Sequence, residues 1–231
     1  MNDYPYNFGR GGLATAEIRN RVLRNTYWLL ALSMVPTILG AWVGVATGFS
    51  LFAATSPAMS MLAFFAIAFG FMFAIQRTKD SAVGVVVLLG FTFFMGLMLS
   101  RLLSFILGFS NGPALIMLAF GGTGIIFTAM ATIATVSKRD FTGLGKWLFV
   151  GVLVLLLASV ANIFLHLPAL MLTVSVLAIV IFSAYMLFDV QRVVNGGETN
   201  YITATLAIYL DLYNVFVNLL SLLGIFGGNR N

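Results

Sequence analysis

Apolar residues in this chain fall into long runs separated by short polar stretches, with no sustained apolar–polar alternation. Seven runs stand out: Tyr27–Thr47, Pro57–Gln76, Ser81–Leu99, Pro113–Val136, Leu144–Phe164, Pro168–Asp189 and Ile202–Leu223. At about 1.5 Å rise per residue each reaches about 30 Å, the thickness of a bilayer's hydrocarbon core. Backbone groups in lipid must bond within their own segment, so each run is predicted to be a membrane-spanning helix. The third run has the least defined end, and a longer reading takes it through Arg101 and Leu103 to Leu107. The predicted fold is an all-α integral membrane protein with seven transmembrane helices. Residues 1–26 form a polar N-terminal tail, 27–225 the helical domain and 226–231 a short C-terminal tail. The first run is too long for a signal peptide's apolar region and lacks a clear cleavage site, so it reads as a signal anchor.

Composition agrees with the pattern. Hydrophobic residues make up 61% of the 231 and charged residues 8%, and mean hydropathy is +1.04. A soluble domain carries about 25% charged residues, so this chain does not fold in water. There are no cysteines, which removes disulfides and thiolate metal sites. The net charge of +5 sits in the short loops, where topology accounts for it without a nucleic-acid partner. If the N-terminus is cytoplasmic, the inner segments hold Arg10, Arg19, Arg21, Arg24, Arg77, Lys79, Lys138, Arg139, Lys146 and Arg192. The outer segments then hold only Arg101 and Arg230. That asymmetry predicts an N-terminus inside and a C-terminus outside.

Small residues recur four apart at Gly40, Gly44 and Gly48 and at Ala66, Gly70 and Ala74, a spacing that lets helix backbones approach. Packing within the chain is the plain reading, with dimerisation through the first run as the alternative. Gly121–Gly124 lies inside a run without the Gly-Lys-Ser/Thr of a phosphate loop, and reads as packing or a flexible point. Thr128 and Thr132 are expected to bond back to helix carbonyls. The lone His166, with no second His or Cys to join it, reads as an interfacial residue. Arg101 reads as a snorkelling anchor.

Chemistry concentrates in the last two runs. Of seven acidic residues only Asp189 and Asp211 lie in apolar runs. A carboxylate at mid-membrane costs about 2.5–3.5 kcal/mol on insertion scales, so each should face a protein interior or a wet cavity and have a partner. Ala204, Ala207, Asp211, Asn214, Asn218 and Ser221 share one stripe of the last helix. The sixth and seventh runs are antiparallel across a tight loop, which places the two aspartates within two turns in depth. Two carboxyls in one low-dielectric site favour a shared proton. The pair is therefore a pH-responsive latch, a transient cation site or an aspartyl catalytic dyad. Asp189 also has a plainer reading, as an interface residue paired with Arg192 or Arg77. Pro168-Ala169-Leu170 resembles an element of intramembrane aspartyl proteases. It precedes both aspartates, however, and Ile208-Tyr209-Leu210 replaces that group's Gly-x-Gly, so an enzyme is not expected. No resident cofactor is expected either.

The last helix carries Leu206, Tyr209, Leu210, Asp211, Asn214, Phe216, Asn218, Leu219, Leu220, Gly224 and Ile225 in the pattern LxxYLDxxNxFxNLLxxxGI. With seven runs and an aspartate ending the sixth, the chain resembles the transmembrane Bax inhibitor motif family over essentially its whole length. The stretches 24–27, 161–165 and 196–202 resemble a narrower bacterial branch, which includes an inner-membrane modulator of the AAA protease FtsH. The resemblance implies a multi-pass bacterial inner-membrane protein whose last helix is ringed by the other six. It also implies that Asp189 and Asp211 form a pH-sensitive latch on a calcium or cation leak, assisted by an arginine near the end of span two, for which Arg77 is the candidate. Asn214 and Asn218 are expected to line the path. The aspartate pair departs from the modulator's branch pattern, so the ion latch is placed ahead of modulation of FtsH.

Overall fold

In a computed structural model, the described residues, 8–49 and 57–229, form seven α-helices in chain order. They are α1 (Phe8–Thr47), α2 (Pro57–Thr78), α3 (Ala82–Leu107), α4 (Gly112–Val136), α5 (Leu144–Leu165), α6 (Pro168–Val194) and α7 (Tyr201–Gly227). All seven are long and apolar enough to cross a membrane. Each predicted run falls on one helix, with Ser81 at the N-cap of α3. The longer reading of the third run is the one realised. Residues 1–7 and Arg230, which carry parts of the predicted tails, lie outside the described residues.

The first helix differs from expectation. It begins at Phe8 rather than Tyr27, so most of the predicted tail is helical. Polar residues do not stop a helix, and the end of this segment is packed: Val22 clusters with Val193 of α6 and Ala204 of α7. Thr26 is fully buried, and its carbonyl accepts a hydrogen bond from Thr205 Oγ1 at 3.3 Å.

The tightest seam joins α1 and α3. A side chain at Gly40 would strike the Phe93 carbonyl, one at Gly96 the Thr37 carbonyl, and one at Gly44 the Ser100 side chain. Backbones are thus in direct contact, which supplies the dispersion that lipid-matched apolar surfaces otherwise fail to provide. The small-residue spacing of α1 is used within the chain. Gly48, at φ +62°, ends the helix rather than extending the seam. In α2, by contrast, Gly70 faces open space. Gly122 of α4 packs on Leu219, while Thr128 and Thr132 bond the carbonyls four residues back, each within 2.8 Å.

The last helix is the centre. It packs against α1, α2, α3, α4 and α6, and Tyr209 and Asp211 on its two faces are both buried. Tyr209 Oη bonds Thr37 Oγ1 at 2.9 Å, which ties α7 to the α1–α3 seam. The ring is incomplete in one place: α5 leans on α6 and buries only Leu148 and Leu155. It is also the most apolar of the seven helices. Loops α2–α3, α4–α5 and α6–α7 gather at one end, here the basic end, which carries Lys79, Lys138, Arg139 and nearby Arg192. At the opposite end Asn111 Nδ2 donates to the Gly227 carbonyl at 2.6 Å, joining the α3–α4 turn to the end of α7. His166 caps α5 there in the left-handed conformation (φ 51°), exposed.

Candidate functional site

The α6–α7 hairpin is positioned by caps at both ends of its loop. Asn200 is the N-cap of α7, its Oδ1 accepting from the backbone N–H groups of Ile202 (2.9 Å) and Thr203 (3.2 Å). Its Nδ2 donates to the Lys79 carbonyl and to Asp80 Oδ1, both at 2.9 Å, and so holds the α2–α3 loop. Beyond α6, Gly196 takes the left-handed turn (φ 77°) that reverses the chain.

This hairpin brings the two aspartates together. Asp189 is 8% exposed and Asp211 4%, and their carboxyl groups lie close enough to act on each other. Asp211 Oδ2 is buried and receives no donor from any protein group. Two carboxylate oxygens cannot bond one another without a proton between them. Asp189 has a second neighbour: Arg192 Nη1 lies 3.3 Å from its Oδ1, and Arg192 Nη2 lies 3.6 Å from Glu198 Oε2 in the loop. The guanidinium also sits over the Phe188 ring, 5.6 Å from its centroid.

The arginine at the pair is therefore Arg192, one helical turn from Asp189 on the same helix. Arg77 does not take that place. It is exposed at the end of α2 with its guanidinium 5.1 Å from the Phe73 ring centroid, and it makes no ion pair with either aspartate. The physical reason is packing: α2 lies mainly against α3 and barely touches α7.

Asn214 and Asn218 are half-buried on the stripe that continues from Asp211 toward the opposite end. Each donates its Nδ2 at 2.8 Å to the carbonyl four residues back, Leu210 and Asn214 respectively. Ser221 does the same toward Val217. Asn218 borders a half-open cleft of about 280 Å³ between α5, α6 and α7, near the end away from the basic loops. Arg101, on α3, is exposed.

One residue that sequence reasoning passed over is Gln191, 2% exposed beside Asp189. Its Oε1 accepts from the Phe141 N–H at 2.6 Å and its Nε2 donates to the Arg139 carbonyl at 2.7 Å, clamping the α4–α5 loop. Within that loop Asp140 Oδ1 accepts from the Thr142 N–H at 2.9 Å, and this bond holds the Asp140 carboxyl below the usual carboxylate range. Thus Gln191 and Asn200, both on the hairpin, grip the other two basic-end loops. The signal for Asn200 was available as a capping residue before an apolar run. Nothing in the sequence pointed to Gln191's distant partners.

Among the described residues no three His, Cys, Asp or Glu side chains converge. Calcium takes six to eight oxygens, and two carboxylates supply at most four. Asp189 and Asp211 could meet a cation only in passing, with water completing its shell.

Comparison with known proteins agrees with this architecture. The family model described as Inhibitor of apoptosis-promoting Bax1 matches residues 19–228, which takes in all seven helices. The chain is 38% identical over 205 residues to the modulator of FtsH protease YccA of Escherichia coli K12, covering 89% of this chain and 90% of that protein. It is 37% identical over 210 residues to a membrane protein of Vibrio cholerae, covering 91% and 92%. A Neisseria meningitidis protein is 35% identical over 209 residues, with 89% and 91% covered. Seven apolar helices, a central α7 and near full-length similarity to inner-membrane relatives place this chain in the Bax inhibitor family, as a multi-pass inner-membrane protein.

Proposed function

We propose that the protein is a cation leak of the inner membrane, permeable to calcium and gated by protonation of the Asp189–Asp211 pair. The observation that carries this reading is the pair of buried neighbouring carboxyl groups, in which Asp211 Oδ2 has no protein donor. Such a contact is attractive when one proton lies between the groups and repulsive when none does. With the proton in place, α6 and α7 are held together and the path is shut. With both groups ionised, the hairpin separates and presents an anionic site to a hard cation. Arg192 tethers Asp189 to the loop through Glu198, so that Asp211 is the partner free to part. The basic end faces the cytoplasm, by the excess of Lys and Arg there.

In proteoliposomes, calcium influx through the native chain is expected to rise with pH. Asp211→Asn keeps a hydrogen bond to Asp189 at every pH and should flatten that dependence. Influx unchanged in size and pH dependence would remove Asp211 from the mechanism.

A second reading rests on the Escherichia coli relative named a modulator of FtsH protease. On that reading the N-terminal segment restrains the protease without itself doing chemistry. Because Val22 and Thr26 are packed in the bundle, the informative deletion removes residues 1–16 only. It should abolish any effect on protease turnover and leave ion flux intact. Lost flux with unchanged turnover would reverse the assignment.

A further inference from the structure

A half-open cleft lies between α5, α6 and α7. Its walls carry Ser159 and Asn162 from α5, Ser175 from α6 and Asn218 from α7, together with three apolar side chains. Four polar residues from three helices converge in a part of the bundle that is otherwise apolar. At about 280 Å³ the space would hold on the order of nine waters, at about 30 Å³ each. Water settles in a space of this size where polar groups can bond it, and stays out of a wholly apolar one. The polar groups hold their own helices in order: Ser159 Oγ donates to the Leu155 carbonyl at 2.7 Å, and Asn162 Oδ1 accepts from the Leu167 N–H at 2.9 Å. Neutral hydroxyl and amide groups line the space, and their oxygens can meet the water shell of a hydrated cation.

Position adds to this. Asn218 lies seven residues beyond Asp211 on α7, about 10 Å along the axis, with Asn214 between them. The peripheral placement of α5, which packs chiefly on α6, leaves room for the cleft.

We infer that this cavity is a water-filled vestibule through which a hydrated cation reaches the aspartate pair from the side opposite the basic loops. The inference rests on the leak reading and adds to it the mouth of the path and the residues that form it. Ser175 and Asn218 are the residues that face the passing ion.

The absence of native cysteine allows a direct test in the full chain. Ser175→Cys and Asn218→Cys are made separately, with Val176→Cys, exposed on the lipid side at the same depth, as control. Each is treated with a membrane-impermeant cationic methanethiosulfonate, and thiol labelling and calcium influx are both read. The vestibule predicts labelling at 175 and 218, little at 176, and influx reduced at least severalfold after labelling. No labelling at 175 and 218 overturns it, since the cavity is then dry or lipid-filled. Labelling that leaves influx unchanged also overturns it, because the wet space is then off the path. Influx through the unlabelled native chain is read alongside. If that is absent while 175 and 218 label, the leak reading has failed, and the vestibule's role as a cation mouth fails with it. If native influx is present and labelling is absent, only the vestibule is lost.

Discussion

Two helix pairs in this bundle are held by opposite means. The α1–α3 seam is glycine against backbone, with Gly40 on the Phe93 carbonyl and Gly96 on the Thr37 carbonyl. Nothing in that contact titrates. The α6–α7 hairpin carries two buried carboxyl groups, with Arg192, Gln191 and Asn200 fixing its basic end. On the proposed reading, one seam keeps the same sign under every condition and the other changes sign with a proton. The last helix touches both, through Tyr209 on one face and Asp211 on the other.

The comparison can be broken at its stable half first. Gly96→Ala puts a methyl where the Thr37 carbonyl sits and should cost about 3 kcal/mol by thermal unfolding in detergent, at any pH. Gly70→Ala, facing open space, should stay within about 0.5 kcal/mol. Equal costs at the two positions would show that the seam is not held by backbone approach.

Next in size is the clamp at the basic end. Gln191→Ala leaves the Phe141 N–H and the Arg139 carbonyl without their partner and should cost about 2 kcal/mol. Hydrogen exchange in the α4–α5 loop should rise while the α1–α3 seam stays protected. Arg192→Gln removes a partly exposed tether and should cost about 1 kcal/mol or less, with a changed pH profile of influx as its larger effect. Unchanged pH dependence would show that the tether does not bear on the latch.

The smallest effect belongs to Asp140. Its carboxyl is held below the ordinary range by the Thr142 N–H, so its stabilisation is present above the unfolded carboxylate's value of about 3.9 and is lost as pH falls through the folded value. Being fully exposed, it contributes little. Asp140→Asn should lower stability slightly at neutral pH and not at all at strongly acid pH.

The sequence made some of this legible and hid the rest for definable reasons. Span count and helix bounds follow from run length against bilayer thickness, a constraint that leaves little freedom. Asp189 and Asp211 could be paired because a tight loop fixes relative depth in a hairpin. Gly40 and Gly44 could be read as packing, but not their partner, since spacing names a face and not what lies across it. The same limit applies to Arg77, where nearness to a loop said nothing of how α2 lies. Arg192 took its place through a contact one turn away on the same helix. The start of α1 is hidden because polar sequence reads as tail, whereas Val22 and Thr26 are buried by helices far along the chain. Gln191 and the α5–α6–α7 cavity depend on residues tens of positions apart, which no local pattern records.

The central claim is that the two aspartates act as one proton-dependent unit. The most direct measurement is calcium influx against pH in proteoliposomes for the native chain, Asp189→Asn, Asp211→Asn and the double variant. The account predicts a pH dependence in the native chain that either single substitution flattens, with the double variant no different from the singles. A native pH profile in either single variant, or effects that simply add in the double, would contradict it.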